Sequence, residues 1–206
     1  MIVSFKYNYI YFRPKKTGSS SIAAILQASL DEGDIRRSQA LPADIRLDRR
    51  SVHMKAADIR NSMPEAFWNR CFKFASERHP YEKAVSLAFF RLGKQQQKRQ
   101  KTPERSLQRF PALLARVVAG GEYRGFDYYA IDGKPVVNEF IRHETLEKDL
   151  RWVAARLGIP VPEELPRNKS AFRLDPRPAR DILTEEQRHT IYQNCRQEFE
   201  LLGYEP

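Results

Sequence analysis

The chain has 206 residues, of which 41% are apolar, so it is long enough for one domain with a sizeable core. Its net charge of +10 favours anionic partners, and the absence of any run of eighteen apolar residues predicts no membrane span. Lys6 and Asn8 interrupt the first residues before a signal-peptide core could form, so we expect a cytoplasmic protein. Two cysteines are too few for a disulfide framework. The four histidines show no metal-ligand spacing with them, so we expect no metal site.

The N-terminal part of the chain has the pattern of strand, helix and connection. Residues 1–13 first alternate between apolar and polar side chains and then become continuously apolar, which predicts one or two strands. Apolar residues at helical spacing follow, and the predicted helix stops near Gly33. The charged stretch 34–50 predicts a surface connection, and a short strand is expected at residues 51–53.

A second strand-to-helix crossover comes after two predicted helical turns. Residues 71–77 have the length and aromatic content of a buried strand, and residues 81–92 have helical spacing. Residues 91–138 are predicted to form a helical insertion that opens with a basic segment. In this segment, residues 91–109, Glu104 is the only acidic residue. Such a segment is either a solvated loop or a surface that attracts an anionic ligand. A proline at position 111 is expected to break the insertion into two helices.

The C-terminal part repeats the alternation of strand and helix. A strand is predicted at residues 136–143, a helix at 146–157 and a proline-rich loop at 160–178. The capping-box pattern at Thr184 begins a final helix. Strands that alternate with helices predict one α/β domain over residues 1–206, with a mostly parallel central sheet flanked by helices.

The most informative motif lies between the first predicted strand and the first predicted helix. The first N–H groups of a helix have no internal partners and carry partial positive charge, so they bind phosphate or sulfate well. Glycine allows the backbone to approach the anion closely, and hydroxyls and lysines supply further donors. The candidate anion-binding residues are Lys15, Lys16, Thr17, Gly18, Ser19, Ser20 and Ser21.

A second cluster follows the strand at 71–77. Arg78 comes directly after this strand, and Ser86 lies eight residues later in the predicted helix. Pro80 fits the first position of that helix, because its missing N–H would have had no partner there. Both Arg78 and Ser86 could bind one anionic group, whereas the simpler interpretation of Arg78 is a salt bridge with a nearby carboxylate.

These two clusters together resemble the donor-binding elements of the sulfotransferases that depend on 3′-phosphoadenosine 5′-phosphosulfate (PAPS). In that family a P-K-T-x-S-x-S loop holds the 5′-phosphosulfate, and an R-x-P…S element holds the 3′-phosphate. The likeness continues in residues 142–150, which are similar to the family's R-x-E-x-L-x-x-D-L segment, and in Asn168, Lys169 and Ser170. Glu77 and His79 depart from the pattern, which has a hydrophobic residue and Asn or Asp beside the arginine.

The resemblance implies a P-loop NTPase-like three-layer fold and a definite reaction. A sulfuryl group would pass from PAPS to a hydroxyl of an acceptor, leaving adenosine 3′,5′-bisphosphate, with no metal. Absence of the R-x-x-G-x-x-G loop of the phenol and steroid enzymes favours the carbohydrate-type and bacterial branch. The expected acceptor is a saccharide or glycolipid, although a small alcohol is equally allowed, and no nucleic-acid partner is expected.

The resemblance also implies roles for single residues. Lys16 would stabilise charge on the oxygen that bridges phosphorus and sulfur, although the extra Lys15 leaves open which lysine faces the donor. His53 would be the general base, with Glu82 or Asp58 as alternatives. The Asn168-Lys169-Ser170 segment would close over the bound nucleotide. The other three histidines, His79, His143 and His189, are interpreted as structural.

Three alternatives remain open at this stage. A P-loop kinase or NTPase is disfavoured, because its motif requires a glycine before the lysine and here Gly18 follows Lys16. A basic nucleic-acid-binding protein agrees with the charge, but the sequence contains no recognisable binding module. A relative that binds the donor without transferring the group is also allowed.

Overall fold

The computed structural model describes residues 1–35, 52–99, 107–165 and 173–206. The chain forms two compact units, and each is built from two separate stretches of sequence. Unit 1 comprises Met1–Glu77 and Gly125–Asn168, and unit 2 comprises Arg78–Arg124 and Lys169–Pro206. Within the described residues the fold is mixed α/β, as the alternation of patterns predicts.

Unit 1 is built on a four-stranded sheet in the order β1-β2-β3-β6. Strand β1 pairs antiparallel with β2, whereas β2, β3 and β6 are parallel to one another. A two-stranded hairpin of β4 and β5 stands apart from this sheet. The strands are β1 (Ile2–Ser4), β2 (Tyr9–Phe12), β3 (Phe72–Glu77), β4 (Ala130–Ile131), β5 (Lys134–Pro135) and β6 (Glu139–Arg142).

The helices divide between the two units. Unit 1 contains α1 (Ser19–Ala28), α2 (Ala56–Ser62), α3 (Glu65–Arg70) and α6 (Leu146–Leu157). Unit 2 contains α4 (Pro80–Arg99), α5 (Phe110–Gly120), α7 (Ala179–Ile182), α8 (Glu185–Asn194) and α9 (Arg196–Leu202). None of these helices is long and apolar enough to cross a membrane.

The sheet of unit 1 has a hydrophobic cluster on each face, because successive side chains of a strand point to opposite sides. Tyr9 and Tyr11 of β2 pack with apolar residues of α1 and α6. Ile10 and Phe12 pack on the other face with residues of α2 and α3. All four β2 side chains are fully buried. Unit 1 is thus a sheet between two helical layers, with its loops at the strand ends.

Unit 2 is helical among its described residues and has its own core. The apolar faces of α4 and α5 meet those of α7, α8 and α9 in one cluster. Phe89 of α4 stacks on Phe110 of α5, with ring centroids 4.1 Å apart. The predicted capping box is confirmed: the Thr184 hydroxyl accepts from the Gln187 amide, and the Gln187 side chain accepts from the Thr184 amide.

Several predicted boundaries are wrong for identifiable reasons. No strand forms at residues 52 and 53, where the chain bends and the His53 imidazole bonds the Arg13 carbonyl. The last parallel strand begins at Glu139 instead of residue 136, because the preceding residues lie in and beside the β4–β5 hairpin. The predicted break near Pro111 is close to its expected place, because the turn residues 108 and 109 separate the helical residue 107 from α5, whose first turn contains this proline. The C-terminal helix is interrupted at Cys195, where α8 ends and α9 begins.

Candidate anion-binding site

The candidate site of unit 1 lies at the carboxyl ends of its parallel strands. Phe12 of β2 lies opposite Ala75 of β3, and Glu77 of β3 lies opposite Arg142 of β6, so the three strands finish at one edge of the sheet. The edge after the last strand residues is where open α/β sheets bind their ligands. The loop of residues 13–18, which we call the anion loop, leaves β2 here and leads into α1.

The backbone of this loop turns sharply. Lys16 has a φ of 64° and Gly18 a φ of 77°, both in the left-handed region. A lysine in this region is uncommon and costs about 1–2 kcal/mol of backbone strain. Strained turns of this kind concentrate at ligand sites, and they can aim successive N–H groups at one anion.

Gly18 is required at its position by crowding as well as by its φ. A Cβ on this residue would lie 2.9 Å from Cδ1 of Leu146 and 3.1 Å from Cδ2 of His143. The loop therefore packs directly against the segment that follows β6. Sequence reasoning interpreted His143 as structural, yet its ring lies against the anion loop. Its position directly after a parallel strand is the signal that could have identified it.

The hydroxyl of Thr17 is bonded inside the protein and does not face a ligand. Thr17 is fully buried, and its Oγ1 lies 3.1 Å from the Pro14 carbonyl and 2.7 Å from Oγ of Ser76. Tyr11 donates its hydroxyl to the same Ser76 oxygen at 2.8 Å. A consistent assignment has Tyr11 donating to Ser76, Ser76 to Thr17, and Thr17 to Pro14. This chain of buried hydroxyls ties the loop to β2 and β3.

Helix α1 presents its N-terminus to the loop. Its N-cap is Gly18, which has no side chain to cap the first amides, and its first turn contains no acidic residue. The Ser21 amide donates to the Gly18 carbonyl at 3.0 Å, which tightens that turn. Ser19 is buried, whereas Ser20 and Ser21 are half-buried. Amides and hydroxyls at a helix start of this kind suit an anionic ligand.

His53 lies beside the start of the loop. Its Nδ1 is 2.7 Å from the Arg13 carbonyl oxygen, and since a carbonyl only accepts, Nδ1 carries the proton and Nε2 has the lone pair. Burial lowers the pKa of His53 to about 4, and the positive charges of Arg13 and Lys15 act in the same direction. The imidazole is therefore neutral at physiological pH. Unit 1 brings together the loop and the histidine that the sequence assigned to one site.

The cations of this loop make the edge electropositive. Arg13 is 8% exposed, and Lys15 and Lys16 are half-buried. The positive charge of Lys15 contributes to the lowered pKa of His53. Lys16 has the strained backbone next to Gly18. The two lysines therefore differ in their surroundings, although they are neighbours in sequence.

The second predicted element lies in unit 2, where Arg78 belongs to an ionic cluster. Arg78 donates from Nη2 to Glu82 at 2.8 Å, and its side chain is 15% exposed. Arg173 and the amide of Ala179 donate to the same carboxylate. Burial by itself would raise the pKa of Glu82, but these hydrogen bonds and the charge of Arg78 outweigh it and lower the pKa. Sequence reasoning missed Arg173, which lies 91 residues from Glu82.

The remaining predicted residues have distinct positions. Ser86 is half-buried on α4, one helical turn after Glu82. Asp58 lies on the exposed side of α2, where its carbonyl accepts from the Ser62 hydroxyl at 2.7 Å. Asn168, Lys169 and Ser170 lie outside the described residues. Among the residues that are described, no group of three or more His, Cys, Asp or Glu side chains could hold a metal ion.

Segment 142–150 holds the edge of the site in place. Asp149 of α6 accepts from the Arg142 amide at 2.9 Å and from the Thr145 hydroxyl at 2.7 Å. The aspartate thereby fixes the turn that carries His143.

Comparison of the chain with protein-family models, curated proteins and solved structures finds no match.

Proposed function

We propose that this chain is a sulfuryl transferase that uses PAPS as donor and a hydroxyl group as acceptor, on a P-loop-like α/β fold. The observation that carries the proposal is the segment of residues 14–21, which contains most of the anion loop and the first residues of α1. It combines two left-handed residues, a helix N-terminus without acidic groups and adjacent cations at the carboxyl edge of parallel strands. The donor set of amides, hydroxyls and ammonium groups fits a phosphosulfate, which is an anion with many acceptor oxygens.

In the proposed reaction Lys16 acts on the leaving group. PAPS supplies an activated sulfuryl group, whose transfer leaves negative charge on the oxygen that bridged sulfur and phosphorus. A lysine ammonium near that oxygen stabilises the transition state more than the ground state, because the charge develops as the bond breaks. The amides of the first turn of α1 hold the phosphate part of the donor. The buried hydrogen bonds of the Thr17 hydroxyl fix the direction of these amide groups before the donor binds.

His53 has the correct tautomer for a general base. Its Nδ1 proton is held by the Arg13 carbonyl, so the Nε2 lone pair can take the proton of the attacking hydroxyl. A pKa of about 4 makes the free imidazole a weak base. A bound polyanion would offset the charges of Arg13 and Lys15 and so raise the pKa of His53, whereas the larger effect of burial would remain. The donor and the base are thereby coupled.

Arg78 is proposed to bind the 3′-phosphate of the nucleotide. Its pairing with Glu82 orients the guanidinium, which has five N–H donors in total and can serve a phosphate beside the carboxylate. The acceptor is proposed to be a saccharide or glycolipid. These assignments follow from the resemblance of the motifs, to which the geometry of the loop adds support.

Calorimetry with adenosine 3′,5′-bisphosphate and with ATP tests donor binding. We expect the bisphosphate to bind more tightly than ATP. Lys16→Ala should weaken bisphosphate binding about 10- to 100-fold, the value of a hydrogen bond to a charged group. Arg78→Ala should remove most of the preference over ATP, and Lys134→Ala on the exposed strand β5 is the matched control. Equal or tighter binding of ATP contradicts the proposal, as does tight binding of generic DNA without affinity for the bisphosphate.

A transfer assay separates an enzyme from a protein that only binds the donor. Labelled sulfate from PAPS should pass to a saccharide acceptor, and both Lys16→Ala and His53→Ala should abolish the transfer. His53→Ala should retain bisphosphate binding, since the imidazole is assigned to the acceptor. A protein that binds the bisphosphate but transfers no label to any hydroxyl acceptor is an inactive relative.

A further inference from the structure

Unit 1 has a polar cleft at the opposite edge of its sheet, where the parallel strands begin. Asn8 precedes β2, Phe72 begins β3, and Asn138 precedes β6. The cleft has a volume of about 550 Å³. This volume falls in the range of small-molecule sites, roughly 300–1,000 Å³. Because the anion loop lies at the carboxyl ends of the same strands, the cleft is separate from it.

Three cations line this cleft without acidic partners. They are Arg70, Lys73 and Arg156, and none of the described residues that line the cleft is acidic. None of the three has a salt bridge to a described carboxylate. Lys73 is 8% exposed and donates to the Cys71 carbonyl, at 2.9 Å. No acidic side chain among the described lining residues offsets these positive charges, so the cleft favours an anionic ligand.

Aromatic rings hold these three cations in place. Arg70 lies over the ring of Phe67 at 5.6 Å, Lys73 over Trp68 at 5.2 Å, and Arg156 over Phe72 at 5.2 Å. Each stacking interaction restricts the freedom of a long side chain. The cations are therefore positioned before a ligand arrives, which lowers the entropic cost of binding.

The amide groups of the cleft add a second kind of recognition. Asn8 donates from Nδ2 to the Arg70 carbonyl, while its buried Oδ1 has no hydrogen-bond partner among the described residues. A buried acceptor of this kind is satisfied by an ordered water or by a ligand hydroxyl. Asn138 accepts from the Lys73 amide through Oδ1. Its Nδ2 group, with two N–H donors, is therefore directed to other partners.

We propose that this cleft binds an acidic saccharide. The cations recognise the carboxylate or sulfate of the sugar, Asn8 Oδ1 accepts from a sugar hydroxyl, and the Asn138 amide donates to a ring or hydroxyl oxygen. Phosphate or sulfate alone would satisfy the cations but leave Asn8 Oδ1 unmatched. A nucleic acid strand would be expected to use exposed aromatic faces, whereas the rings of Phe67 and Trp68 are buried and stack on cations.

The test is an NMR titration of the full chain with D-glucuronate, D-glucose, inorganic sulfate and a ten-residue thymidine oligonucleotide. We expect glucuronate to shift the side-chain amide signals of Asn8 and Asn138 at lower concentration than sulfate, and glucose to shift them least. Arg70→Gln and Arg156→Gln change exposed arginines and should each weaken glucuronate binding about tenfold, the loss of one charge-assisted hydrogen bond. Arg116→Gln on α5 is the matched control.

Other outcomes overturn the inference. Equal binding of glucuronate and sulfate means that the cleft recognises charge alone, and preferential saturation by the oligonucleotide means a nucleic-acid surface. If the Asn8 and Asn138 signals do not shift, or if both arginine variants bind glucuronate with unchanged affinity, the cleft is not a binding site for it. Lys16→Ala should leave glucuronate binding intact, so failure of the sulfuryl-transfer proposal and failure of this one are distinguishable.

Discussion

The buried hydroxyl chain is the residue-level feature that holds the anion loop. Tyr11, Ser76 and Thr17 are all fully buried, and each donates one hydrogen bond along the chain to the Pro14 carbonyl. Burial raises the pKa of the Tyr11 hydroxyl, so it stays protonated as a donor at every physiological pH. A loop held in a strained conformation needs such support, because the strain favours relaxation.

Ser76→Ala should therefore destabilise the fold and loosen the loop. The change leaves the Tyr11 and Thr17 hydroxyls without their shared partner, which costs about 1–3 kcal/mol. Urea unfolding measures this loss, and the amide signals of Lys16 and Gly18 should broaden or shift. Ser62→Ala is the control, because its hydroxyl bonds a carbonyl on the exposed part of α2 and should change stability by about 0.5 kcal/mol or less. Equal losses in the two variants would contradict the role of the chain.

The pKa of His53 gives the stability a defined pH dependence. The folded pKa is about 4, whereas the unfolded value is 6.5, so between these pH values the unfolded chain binds more protons. The contribution of His53 to the free energy of unfolding is constant above pH 6.5 and falls as the pH is lowered toward 4. His53→Asn keeps an N–H donor for the Arg13 carbonyl but does not titrate. Urea unfolding at pH 7 and pH 5 should show a smaller acid loss in the variant, and an unchanged loss would refute the assignment.

At the scale of elements, a buried ion pair joins two helices of unit 2. Lys83 of α4 and Glu198 of α9 are 3.8 Å apart, and their side chains are 0% and 2% exposed. Desolvation of two charges offsets much of their attraction, so such a pair adds little stability compared with apolar residues. Removal of one partner is different, because it leaves the other charge buried.

A double-mutant cycle should expose this asymmetry. Lys83→Met should lower the free energy of unfolding by about 3–5 kcal/mol, since Glu198 stays buried without this cation. The double variant Lys83→Met with Glu198→Met should recover most of the loss. Lys94→Met, on the exposed side of the same helix, should have an effect of about 0.5 kcal/mol or less. A double variant as unstable as Lys83→Met alone would contradict this interpretation.

Local patterns predicted most elements, and non-local contacts account for most of what was missed. Periodicity and capping gave β2, α1, β3, α6 and the capping box of α8 close to their observed bounds. The β4–β5 hairpin also had a local signal, since Asp132 and Gly133 form the Asp-Gly turn with positive φ at both residues. By contrast, the bond of His53 to Arg13 and the contact of Arg173 with Glu82 join distant segments. Sequence spacing alone contains no information about them.

At the scale of the whole molecule, the chain passes between the two units three times. The crossings lie at 77–78, 124–125 and 168–169, so neither unit is one continuous segment. Composition cannot reveal this arrangement, because both units have ordinary apolar patterns. That a single sulfotransferase-like domain spans residues 1–206 stays a prediction. The division does imply that the last segment of the chain serves the core of unit 2 and not the sheet of unit 1.

A chain that ends at residue 172 should therefore lose the packing of unit 2 selectively. The deletion removes α7, α8 and α9, whose Ile191, Cys195 and Phe199 side chains are at most 2% exposed in the core. The apolar faces of α4 and α5 would then meet water. Hydrogen exchange should show lost protection of the α4 and α5 amides, with retained protection of the amides in β2, β3 and β6. Deletion of only Pro206, which is exposed, is the control, because the Glu205 carbonyl accepts from His79 just before α4. Full protection of α4 and α5 in the longer deletion would show that this core forms without its C-terminal helices.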